Sequence, residues 1–178
     1  DGRTLETFIQ ADAPVGFFRF SDVPAGFKPV LRMPPYAGNP DVGPADSVSG
    51  QDLRRLGYPP GRVEEGNGSA VYRQSGWSGF FYEIAVVWRM DPDGGMTGAW
   101  SVTSKSSDDR SELAALARAR KALEDGLGSA RDAHAAWWKS FWSRSSLRIP
   151  DAVLEKQWYL ETYKFGAAAR RGAPPISL

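Results

Sequence analysis

Two hydrophobic periods divide the chain. Up to about residue 105 apolar side chains recur at every second position, interrupted by Gly and Pro clusters, and after that point they recur with helical spacing. The clearest alternation is "FFYEIAVVWRM", where Phe80, Tyr82, Ile84, Val86, Trp88 and Met90 share one face and Phe81, Glu83, Ala85, Val87 and Arg89 the other. This pattern predicts a strand with one wholly apolar face and one mixed face. "DPDGG" at 91–95 supplies a turn, after which Met96, Gly98, Trp100 and Val102 alternate with Thr97, Ala99, Ser101 and Thr103, so a long hairpin is expected. "RTLETFIQ" and "VGFFRF" predict two shorter strands. The prolines and glycines of "RMPPYAGNPDVGP" and "GYPPGRVEEGNG" oppose both helix and ladder, and these stretches read as ordered surface loops. Loops of that length on an antiparallel scaffold either carry binding or pack on a neighbouring domain.

In the helical part, "SSDDRSELAALARARKALEDG" offers Asp109 as N-cap, Glu112 three residues on and Gly126 as the stop. A second helix is expected from near Ser129 through "AHAAWWKSFW". At about 100° per residue His134, Trp137, Trp138, Phe141 and Trp142 form one aromatic stripe, with Lys139, Ser140 and Ser143 facing away. A sugar-stacking or base-stacking platform is one reading of such a stripe; the i, i+3, i+4, i+7 spacing favours the other, a buried seam between helix and sheet. No carboxylate or nucleophile stands at a helical spacing from His134, which reads as a packing histidine. Pro150 and Asp151 then start a third helix over "AVLEKQWYLETYKFGAAAR". Its apolar residues Val153, Leu154, Trp158, Tyr159, Leu160, Tyr163 and Phe165 surround the axis, and a helix of that kind expects several neighbours. The sequence supplies too few, which predicts that a helical domain continues beyond Leu178. Asp rather than Met at position 1 and the apolar "RRGAPPISL" at the other end fit the same expectation, a piece of a longer protein.

Charge and composition remove several functions. The 22 basic and 21 acidic side chains nearly cancel and form no Lys/Arg run, so neither nucleic acid nor a membrane surface is an expected partner. No apolar run approaches the roughly 18 to 20 residues of a bilayer span. With no cysteine and one histidine, disulfides, thiol catalysis and Cys- or His-rich metal centres are excluded, and no cofactor is expected.

Individual candidates are few. Asp91 and Asp93 in "DPDGG" fit turn chemistry better than a calcium loop, which needs further oxygen ligands. "NGS" at 67–69 fits a glycosylation acceptor pattern, and Glu64 and Glu65 read as solvated. No GxSxG, phosphate-binding glycine loop or spaced carboxylate pair is present. Trp77 in "SGWSG" lies in a loop without a core face, placed either to contact a ligand or to cover a neighbouring domain.

From about residue 130 to 178, "HAAWWKSFW", "LRIPDAVLEKQWYLETYKF" and "AARRGAPPISL" resemble the junction in glycoside hydrolases and phosphorylases that join an N-terminal β-sandwich to an (α/α)6 barrel. The α-L-fucosidases of glycoside hydrolase family 95 are one such group and, more distantly, the family 65 phosphorylases another. His134, Trp137, Phe141 and Trp142 match the linker helix, Asp151 through Phe165 the capped aromatic helix, and Arg171, Gly172 and Pro175 the following loop.

The resemblance implies an α+β chain: an antiparallel β-sandwich over 1–105, linker helices over 106–149, and over 150–178 the first helix and loop of a truncated barrel. It implies the scaffold portion of a secreted or periplasmic enzyme that hydrolyses glycosidic bonds by inverting two-carboxylate chemistry located downstream, the fragment alone being inactive. A catalytic residue and a metal ligand are expected nowhere in this chain. Trp77 and Arg171 are the expected substrate contacts, and the partners are an oligosaccharide or glycoside and the remainder of the same polypeptide. The alternative is a noncatalytic carbohydrate-binding or adhesive β-sandwich module.

Overall fold

The computed structural model describes residues 2–32, 57–105 and 114–169. Among them six strands, β1 (Leu5–Ile9), β2 (Val15–Phe20), β3 (Arg62–Gly66), β4 (Ser69–Ser75), β5 (Phe81–Met90) and β6 (Met96–Lys105), are followed by helices α1 (Ala115–Asp125), α2 (Leu127–Trp142) and α3 (Ala152–Ala168). The chain is α+β. The strands make one open antiparallel sheet in the order β1-β2-β6-β5-β4-β3, and a second sheet facing it, which a sandwich requires, is not among the described residues. The β5–β6 hairpin pairs Met90 with Met96 and Phe81 with Lys105, as the alternation predicts.

One stretch departs from its expectation. "GYPPGRVEEGNG" reads as loop, yet it contains β3, paired with β4 through the two-residue connection Asn67–Gly68. Gly68 has φ +67°, and a Cβ there would lie 2.7 Å from the Trp88 carbonyl oxygen, so glycine alone fits the turn. β3 holds a single large apolar residue, Val63, and the ladder to β4 supplies what its own composition lacks. In β4 Ala70, Val71 and Tyr72 are buried in succession on both faces, which erases the period-two signal.

The chain divides into two compact units, the sheet with α1 and, after Leu127, the pair α2 and α3. In the first, α1 lies on the mixed face of β5. Small side chains allow the approach: Val71 and Ala85 on the sheet pack against Ala115, with Leu116 beside them. Charged residues of the same β5 face hold the helix ends. A Glu83 Oε1 oxygen accepts the Leu116 N–H at 3.3 Å, and the Arg89 Nη1 donates to the Leu123 carbonyl at 3.3 Å. These are the signs that complement a helix dipole, negative at its N-terminus and positive at its C-terminus. The sequence places Asp109 as N-cap, a position outside the described residues; the helix starts at Ala115 after Ala114, whose side chain makes no cap bond.

The opposite face carries two reciprocal glycine–aromatic pairs between β2 and β6. Gly16 stands opposite Trp100 and Phe18 opposite Gly98. A Cβ on Gly16 would fall 2.1 Å from the Trp100 ring, and one on Gly98 2.1 Å from the Phe18 ring. Each ring lies across the glycine of the partner strand. Beyond them Phe18, Phe20 and Phe27 continue edge to face at centroid distances of 6.0 and 5.3 Å.

In the second unit the aromatic stripe of α2 meets rings of α3. Trp138 stacks on Tyr163 at 5.1 Å and Trp142 approaches Tyr159 at 5.7 Å, while Gly166, buried, leaves room for Trp138 and Phe141. Asp151 caps α3 by accepting the Val153 and Leu154 N–H groups at 2.9 and 3.1 Å, as expected. The connection is pinned by the Tyr159 hydroxyl, which donates to the Leu147 carbonyl and accepts its N–H, and by Glu155, which accepts the Ile149 N–H at 2.9 Å.

The interlock gives a test. Gly16→Ala is expected to lower unfolding free energy by about 2 kcal/mol, a typical overpacking cost, and to lose most of that penalty in a Trp100→Ala background, as read by urea denaturation; additive penalties would contradict it.

Candidate functional site

At the β3 side of the first unit an open groove of about 710 Å³ runs along the face that carries α1, with Pro59 and Pro60 among its walls. Cross-strand register assembles it. Arg62, Arg73 and Glu83 stand side by side on β3, β4 and β5, and the next row sets Ser75, Phe81 and Lys105 together. All six line the groove, with Glu64 beside them.

Its electrostatics centre on Arg73. The Nε donates to Glu83 at 2.8 Å and Nη1 to Glu64 at 3.0 Å. Glu83 is 1% exposed, and its second oxygen takes the α1 N–H, so both oxygens of the buried carboxylate are engaged. The bond to Glu83 raises the Arg73 pKa above its ordinary value, with further help from the charges of Glu83 and Glu64. Lys105 rests its ammonium 5.5 Å from the centre of the Phe81 ring. Arg62 makes no ion pair among the described residues.

Gln74 ties the proline wall to the sheet. Its amide donates to the Pro59 carbonyl at 2.9 Å and the Ser75 carbonyl at 2.7 Å, and its oxygen accepts the Tyr72 hydroxyl at 2.7 Å. Burial, and then the charge and hydrogen bond of Tyr82, push the Tyr72 phenol up to about 12. Gly61 is required beneath this ring, since a Cβ there would come within 2.4 Å of it.

Past the Ser75–Phe81 pair the chain turns through a short 3-10 segment, Trp77–Gly79. The Gly76 N–H donates to the Phe80 carbonyl at 2.6 Å and the Phe80 N–H to the Trp77 carbonyl at 3.0 Å. Ser78 holds φ +52°, an uncommon conformation for a residue with a Cβ. The turn leaves Trp77, two residues past Ser75 of the groove lining and not itself part of that lining, 77% exposed.

Other sequence candidates separate from this place. Arg171 lies outside the described residues. His134 is in the second unit, its ring edge-on to Trp138 at 6.3 Å. Asp91 and Asp93 do hold the β5–β6 turn: Arg19 donates to both, Thr97 to Asp91 at 2.7 Å, and the Gly95 N–H to Asp93 at 3.0 Å, which with the Arg19 charge keeps the Asp93 pKa below its ordinary value. Glu64 and Glu65 are exposed but paired, with Arg73 and Lys28. Among the described residues no group of three or more acidic or histidine side chains is placed to hold a metal ion, and no helix is long and apolar enough to cross a membrane.

Sequence reading missed Arg62, Arg73 and Glu83. The available signal was Glu83 itself, a carboxylate inside the most apolar strand of the chain, which needs a cationic partner on an adjacent strand. Compared with known proteins, the chain matches no family model, no curated protein and no solved structure.

Removing either half of the buried pair is not equivalent. Arg73→Met leaves the Glu83 charge buried and should cost about 3 kcal/mol, whereas Glu83→Gln leaves a half-exposed Arg73 that water and Glu64 still serve, and should cost about 1 kcal/mol; equal losses in urea denaturation would contradict the assignment. Tyr72 gives a second test. Between the unfolded tyrosine value near 10 and about 12 the folded state keeps a proton that the unfolded chain releases, so this residue's contribution falls as pH rises through that window. Tyr72→Phe should flatten the alkaline loss by roughly 3 kcal/mol, after about 1 kcal/mol is lost at all pH values with the Gln74 bond.

Proposed function

We propose that the chain is the N-terminal scaffold portion of a secreted or periplasmic enzyme that hydrolyses glycosidic bonds. In this reading the open sheet is one layer of a β-sandwich and α3 is the first helix of an (α/α)6 barrel supplied by the remainder of the polypeptide. The observation that carries it is the state of α3. This helix is firmly capped and half-packed by aromatic rings, yet Val153 is 77% exposed, Phe165 62% and Tyr163 51%, with Leu154 and Leu160 also open. Burying one such side chain is worth about 1.5–3 kcal/mol, so these positions call for further helices around the same axis.

The chemistry would come from two carboxyl groups flanking the scissile bond, one protonating the leaving oxygen and one activating water. Glu83, the deeply buried carboxylate of the described residues, is committed to Arg73 and α1 and is not free for either role. This chain's contribution is then support, with Trp77 and Arg171 offered to the saccharide.

A second reading, a noncatalytic carbohydrate-binding module, is favoured by one observation, the exposed ring of Trp77 on a strained turn.

The test is to express the whole polypeptide from its reading frame and follow aryl-glycoside hydrolysis, with the product anomer read by NMR. Turnover with inversion, absent from residues 1–178 alone, is expected. Turnover by residues 1–178 alone, or a reading frame that adds no helical residues after Leu178, would overturn the scaffold reading; saccharide binding abolished by Trp77→Ala at unchanged melting temperature, without turnover by the whole polypeptide, would establish the second.

A further inference from the structure

The groove beside β3 has more positive charge than the described residues engage in ion pairs. Arg73 is neutralised by Glu83 and Glu64, and Glu83 is further bound to the α1 N-terminus. Arg62 stands directly opposite Arg73 across β3 and β4, and while the two carboxylates offset the Arg73 charge, Arg62 makes no ion pair of its own among the described residues. Lys105 has no carboxylate partner among them either, and only the Phe81 ring beneath it. A charge on an edge strand is a familiar guard against edge-to-edge pairing, which would account for Arg62. Lys105 lies past Ser101, where β2 stops pairing with β6, so it too stands on a stretch paired on one side, and its ammonium lies over the Phe81 ring on the groove side.

We propose that this groove is a binding subsite for an acidic oligosaccharide, whose uronate carboxylates are taken by Arg62 at one wall and Lys105 at the other. That the ligand is a saccharide rests on the function proposed above; that it is anionic rests on the groove alone. Arg62 and Lys105 are separated by three strand spacings, ~14 Å, and by a two-residue offset along the strands, hence by ~16 Å between backbones. That span suits a short oligomer carrying more than one carboxylate rather than a single small anion. The volume, about 710 Å³, lies within the usual range for ligand sites of roughly 300–1,000 Å³. Pro59 and Pro60 give the sugar ring an apolar wall, and Trp77 stands past the Ser75–Phe81 end, where a further sugar can stack. Arg62 suits the role because its fork meets a carboxylate through two parallel N–H bonds. Glu64 and Glu83 on the same lining disfavour a second anion close to Arg73, leaving the two flanks as the anion positions.

Binding is measured on the whole polypeptide by titration calorimetry, without turnover, so that the result does not depend on hydrolysis. The probes are a tri-galacturonate, its fully methyl-esterified form and citrate, each at low and high salt. The acidic trimer should bind at least tenfold more tightly than its ester and weaken with salt. Arg62→Gln and Lys105→Gln should each reduce affinity several-fold at unchanged melting temperature, and Arg120→Gln, on an exposed position of α1, should not. Equal binding of trimer and ester, no binding of either, or affinity indifferent to Arg62 and Lys105 would overturn the subsite. Citrate binding as tightly as the trimer would retain an anion groove and overturn the saccharide assignment.

Discussion

The seating of α1 on β5 is the constraint from which the first unit is organised. A helix laid over a sheet needs both close approach and an answer for its unpaired end groups. A single strand face provides both: Ala85 gives the approach, Glu83 receives an N–H at one end and Arg89 donates to a carbonyl at the other. Because Glu83 is buried, its charge must be matched from within the sheet, and Arg73 on β4 does this at 2.8 Å. Arg73 in turn reaches Glu64 on β3. The ionic chain that begins as a helix cap therefore ends at the sheet edge, where the groove opens. Packing and the candidate site share the same side chains.

Much of this order could be read from the residues, though not its meaning. The alternation over 80–103 gave the β5–β6 hairpin and its turn, since both strands are long and the DPDGG segment between them is unambiguous. Asp151 announced α3, and Gly126 the end of α1, because caps are local chemistry. β3 escaped notice because an edge strand held by its neighbour needs little apolar content of its own. The face of β5 that read as mixed is the one that carries the helix: alanines and a paired ion bury as completely as leucines when the partner supplies shape and charge. The groove depended on which strand lies beside which, and Arg62, Arg73 and Lys105 come together through strand order, a non-local property. Trp77 was legible for the opposite reason, as its glycine- and serine-flanked loop is a local feature.

The functional reading draws on two kinds of incompleteness. In α3 large side chains face outward from a helix whose start is carefully fixed, which is a packing deficit. In the groove, the Arg62 guanidinium and the Lys105 ammonium have no carboxylate partner among the described residues, which is a charge surplus there. A deficit of apolar neighbours points to more protein and a surplus of cations points to a ligand. The two features need different partners, and each can be filled without the other.

The ring-over-glycine interlock of β2 and β6 bears on how such a sequence can change over generations. A shift of two positions in one direction would set Gly16 against Gly98, and in the other Phe18 against Trp100, so only the observed alignment seats a ring over a glycine at both places. The codons concerned are eighty or more positions apart, yet neither can drift alone: a mutation enlarging one glycine must wait for a shrinking of the ring above it. Descendants of this chain should therefore carry these positions as coupled pairs, inherited together or exchanged together.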